Sequence, residues 1–191
     1  MEDNSLECGL TISNMSHELF NDALYYKEQS ESFTDFFIQW RFKRSAIISF
    51  CASAEAWMSS LIKCNLKDKT IGPREQEVLD FINDHNANMP TGYSNVRKKL
   101  YNFIPTAITG STIRWDTNPN EIFERYIDLS NMRNNIVHYA TRNGSVIRSN
   151  EFSELLDQAA QIIEDLFYEY DILGSKVKTP SWFKERKSKE I

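Results

Sequence analysis

The sequence predicts an all-α bundle of five or six helices joined by short loops, and three observations carry that prediction. Apolar residues recur at three- and four-residue spacing through most of the chain. Glycine and proline are scarce, at 6 and 5 residues. No internal repeat, heptad run or alternating strand series appears. Helices patterned in this way bury one stripe each against their neighbours. With 41% hydrophobic and 13% aromatic residues among 191, the chain has enough apolar surface for a real core.

The elements follow in order. Leu19, Phe20, Leu24 and Tyr25 share a face and predict a helix over 16–29. A longer helix is expected over 33–64. Its first half is amphipathic through Phe36, Phe37 and Trp40, and its second half is made of small residues that let other helices approach closely. Ser45 to Ile62 holds a single charge, Glu55, and five serines, which suits a buried core helix better than a membrane span. Gly72-Pro73 opens a helix over 74–84. Val96, Leu100 and Phe103 predict a helix over 93–104, followed by an irregular stretch over 105–118. Asn118 as N-cap, Pro119 at N1 and Glu121 at N3 mark the next start. Asn143-Gly144 reads as a turn. Leu155, Ala159, Ile162, Ile163 and Leu166 predict a last helix over 151–173, closed by Gly174.

Residues 1–174 are thus expected to form one domain, its first fifteen residues or so loosely held. Beyond it lies a basic tail over 175–191, with six Lys or Arg against two Glu, mobile unless Trp182-Phe183 dock on the bundle. A start of Met-Glu-Asp-Asn-Ser shows no basic n-region, so no signal peptide is expected. Cys8, Cys51 and Cys64 lack metal or disulfide spacing, and a cytoplasmic setting is the default. The net charge of -5 argues against a broadly basic nucleic-acid binder and leaves room for a local basic groove.

The sharpest feature is Arg133-Asn134-Asn135-Ile136-Val137-His138. The core stripe Ile122, Tyr126, Leu129 meets Arg133 where an apolar residue is due, and the stripe Phe123, Ile127 turns polar at Asn134 and His138. Polar residues at intended core positions signal function or an interface. An arginine can hold a phosphate through its planar fork, and histidine is suited to moving protons near neutral pH. On one regular helix, however, five positions separate Arg133 and His138 by roughly 140°. Either the helix breaks before His138, or the two groups act together across a two-fold interface.

Arg133, Asn134 and His138 match, one for one, the R-x4-6-H motif with its following polar residue, near the end of a helix in a small all-α chain. In this the chain resembles the HEPN superfamily (higher eukaryotes and prokaryotes nucleotide-binding domain) over 16–173 in helix order. The resemblance implies a homodimeric, metal-independent endoribonuclease with a composite site, without cofactor, acting as a toxin or anti-phage effector. Such proteins are held in check by a partner. No glycine-serine nucleotidyltransferase signature is present, so an antitoxin would be a separate polypeptide. Catalysis would fall to Arg133, His138 and Asn134.

Two supporting residues stand beside these: Glu55, which could fix the arginine fork of Arg133 or pair with Arg125, and Tyr139, which could stack on a base. Arg41-Lys43-Arg44, Arg97-Lys98-Lys99 and Arg142-Arg148 could line an RNA path. A non-catalytic HEPN-like module that binds a nucleotide or a protein is the alternative, and an interaction scaffold with a fortuitous motif is the third reading.

Overall fold

The structure, a computed structural model, describes residues 12–67, 69–84, 86–138 and 150–189. Tyr139, Arg142, Arg148, the Asn143-Gly144 turn and Cys8 lie outside the described residues. Helix α1 is Ile12–Ser32, α2 is Phe36–Leu66 and α3 is Pro73–Asn83. Helix α4 spans residues 96–109, α5 is Glu121–His138 and α6 is Asn150–Ile172. No strand occurs among the described residues, and the fold is the expected all-α bundle.

Helix α2 is the axis of the bundle. Asp35 caps it, its carboxylate accepting from the Ile38 N–H at 2.9 Å. Ala46, Ser53 and Ala54 are buried along it, and their small size lets α1 lie close. The Ser16 and Ser53 hydroxyls each donate to the other residue's carbonyl, at 2.8 and 2.7 Å, while Tyr26 meets Phe42 at the opposite end. The two helices are therefore antiparallel. Helix α6 runs parallel to α2, with Trp40 against Phe152 and Trp57 against Phe167. Helix α5 returns antiparallel to α6, tied by Asn120 to Glu169 and Arg125 to Asp165. By length and composition a window of α2 could cross a membrane, yet 61% of it is buried inside this fold, as suits a core helix.

Two expectations are corrected. Residues 105–118 are not irregular throughout, because α4 continues to Thr109 and stops at Gly110, whose φ is 80°. Pro105 has no N–H to give the Tyr101 carbonyl, and a π-helical turn, Lys99–Phe103, precedes it. The Ile113 N–H takes that carbonyl instead, at 2.8 Å. The cap of α5 is Asn120 rather than Asn118: its carboxamide oxygen accepts from the Ile122 and Phe123 N–H groups at 2.9 and 3.1 Å. Tyr101 and Glu169 hold Asn120 in place through further hydrogen bonds.

The segment after Gly174 packs onto the bundle. Phe183 is fully buried against Phe20 and Phe167, and Trp182 stacks on His17. The Ser188 N–H and hydroxyl donate to Glu28, and the Lys189 N–H donates to Asn21 at 2.7 Å. The condition set for a mobile tail therefore fails over 175–189: the aromatic pair docks.

Candidate functional site

Up to Met132, α5 buries Phe123, Tyr126, Ile127, Leu129 and Met132. One residue further the core gives way to a cleft of about 470 Å³, a size that suits a small ligand. Small residues make this space: α2 contributes Ala56 and Ser59 where bulkier side chains would fill it. Phe81 of α3, Met89 and Tyr93 of the following loop, and Val96 and Lys99 of α4 form the far wall. Arg133 and Asn134 face in from α5.

Glu55 meets Arg133 here, its Oε1 accepting from Nη2. The pair is half-buried, with 38% of the Glu55 side chain and 25% of the Arg133 side chain exposed. The other cation considered for Glu55, Arg125, belongs to Asp165 and Gln158. Cys51 lies beneath the pair, its thiol directed at the Leu129 carbonyl. Burial pushes that thiol up to about 12, against the lowering effect of the nearby Arg133 cation, so it is a packing residue and not a nucleophile.

His138 is not brought to the cleft. Helix α5 runs unbroken through it, and it stands exposed on the last turn, roughly 140° around and about 7.5 Å along the axis from Arg133. Of the two arrangements the motif allows, a break before the histidine is excluded. Convergence of Arg133 and His138 then needs a second chain or a rearranged helix end.

The basic run Arg97-Lys98-Lys99 does not form one path. The π turn and the adjoining helix send the three side chains in different directions. Arg97 forms two hydrogen bonds to Glu124, whose carboxyl is held low by this arginine and Tyr101 against the opposing effect of desolvation. Lys98 faces solvent. Lys99 turns inward and is only 8% exposed. On α2, Arg41 is exposed, Lys43 lies over the Trp40 ring and Arg44 is half-buried. None of these three residues makes an ion pair among the described residues, so this group remains open to an anionic partner.

Sequence reasoning set Lys99 on an RNA path with Arg97 and Lys98 rather than in this cleft, and it missed Tyr93. The available signal was the one that exposed Arg133. Lys99 sits three residues after Val96 on the apolar stripe of its helix, yet it read as one member of a charge run.

Among the described residues no three His, Cys, Asp or Glu side chains cluster as a metal site would need. Comparisons of the chain with protein-family models, with curated proteins and with solved structures returned no match, so the reading of this cleft rests on its own geometry.

Proposed function

We propose that the chain is a metal-independent endoribonuclease of HEPN type, a toxin or anti-phage effector in the cytoplasm, working as a homodimer. The observation that carries this is the polar end of α5, where Arg133 and Asn134 open onto a ligand-sized cleft and His138 follows on the same helix. The ribose 2′-oxygen attacks the adjacent phosphorus as the 2′-hydroxyl proton passes to a base, for which His138 is suited. The bond to the 5′-oxygen breaks and that oxygen collects a proton. A 2′,3′-cyclic phosphate and a 5′-hydroxyl remain. Arg133 stabilises the charge that builds on the phosphorane, and Asn134 orients the imidazole or donates to a phosphate oxygen. Because Arg133 and His138 diverge on one helix, the histidine of a second copy completes the site.

A second reading is a non-catalytic module that binds a nucleotide or a protein. It is favoured by the Glu55 carboxylate held on Arg133 and by the distance of His138 from the cleft. The two readings part on incubation of the purified protein with total RNA and tRNA in EDTA, beside Arg133→Ala and His138→Ala. Cleavage leaving cyclic phosphate ends, abolished in both variants and absent on DNA, is the expected result. No cleavage by folded, dimeric protein selects the binding module.

A further inference from the structure

The chemistry above leaves two buried polar groups of the cleft unused. Lys99 is 8% exposed and makes no ion pair or side-chain hydrogen bond among the described residues, and its Nζ, unlike the Tyr93 hydroxyl, still reaches solvent. Its Nζ rests 4.6 Å from the centre of the Tyr93 ring. Tyr93 is 4% exposed, and its hydroxyl is closed off from solvent beside the Ser59 hydroxyl. The neighbouring Ser59 gives its own hydroxyl proton to the Glu55 carbonyl.

Buried polar groups are ordinarily satisfied, and a buried ammonium ordinarily has a counter-ion. Here Lys99 and Arg133 face one carboxylate, Glu55, which Arg133 already holds. The cleft therefore carries an excess of positive charge. Desolvation lowers the Lys99 pKa and Arg133 adds to that, with Glu55 opposing, so the fold keeps the ammonium there at a cost that an anion would offset.

We propose that the cleft is a seat for a phosphoryl group, held by the Lys99 ammonium and the Arg133 guanidinium. The two cations come from different elements, α4 and α5, and line the same space. Phe81, Met89 and Val96 supply an apolar wall for an attached nucleoside, and the volume exceeds what a bare ion fills. The choice of a phosphoryl group rests on the ribonuclease reading; the need for an anion rests on Lys99 and Arg133 facing the single carboxylate of Glu55.

The test is calorimetric titration of the intact protein with adenosine 5′-monophosphate and with a non-cleavable 2′-O-methyl oligoribonucleotide, comparing wild type, Lys99→Met and Tyr93→Phe. Lys99→Met is expected to weaken binding about tenfold or more. It should also leave the ligand-free protein equally or more heat-stable, which a purely structural lysine would not do. Tyr93→Phe weakens binding less. Lysine-dependent binding of the mononucleotide alone identifies a free nucleotide as the source, and of the oligonucleotide alone an RNA phosphodiester. Wild-type affinity in Lys99→Met, or no binding of either probe by folded wild type, overturns the seat. Because neither probe is cut, failure of the ribonuclease reading shows separately, as Lys99-dependent binding without cleavage.

Discussion

Glu55 stands between two cations, and its removal changes the field of the cleft more than it changes the fold. Its side chain is 38% exposed, so the ion pair with Arg133 is screened by water and contributes at most about 1 kcal/mol. Glu55→Gln is therefore expected to lower stability by no more than that amount in urea unfolding. Its effect on ligands is opposite in sign: with the carboxylate gone, anion binding should tighten severalfold at low salt, and the gain should fade at high salt. If affinity and stability both stay at wild-type values, Glu55 has no hold on Arg133 in solution. At this scale the sequence disclosed the residues that break a pattern alone. Arg133 and Asn134 interrupt two apolar stripes and were visible for that reason, while Lys99 was hidden by the two charges that precede it, Arg97 and Lys98.

Among the elements, the strongly periodic helices α1, α2, α3 and α6 were legible to within a few residues, because a buried stripe repeats over several turns. The two misread boundaries were decided elsewhere in the chain. Asn118 and Asn120 are equally good caps by residue type, and Tyr101 and Glu169 choose between them. Helix α4 passes Pro105 because a backbone N–H eight residues further on, that of Ile113, occupies the carbonyl that proline leaves vacant. Replacement Asn120→Ala removes a cap oxygen that accepts from two N–H groups and a donor to Glu169. About 1–2 kcal/mol should be lost, read as a lower urea midpoint at unchanged slope. An unchanged midpoint would return the cap to Asn118.

For the whole molecule, the docked segment after Gly174 matters most. Its composition suggested solvent, and only Trp182 and Phe183 hinted at packing. Their partners, His17, Phe20, Trp57 and Phe167, come from three different helices, which no local pattern could reveal. Phe183 is fully buried, so Phe183→Ala is expected to cost about 3–5 kcal/mol, a large share of the stability of an ordinary domain. A loss below about 1 kcal/mol in urea unfolding would mean that the segment contributes little to the core.

That docking also sets the order in which the protein can be completed. Asn21 and Lys189 are joined by reciprocal hydrogen bonds across 168 residues of chain. During synthesis, Phe20 and Trp57 are made early and stay without their aromatic cover until positions 182 and 183 have left the ribosome. Trp57 lies two residues beyond Glu55 on α2, so the helix that carries one wall of the cleft gains its full packing only then. The helix that carries Glu55 is thus synthesised well before the aromatic pair that covers its neighbour Trp57.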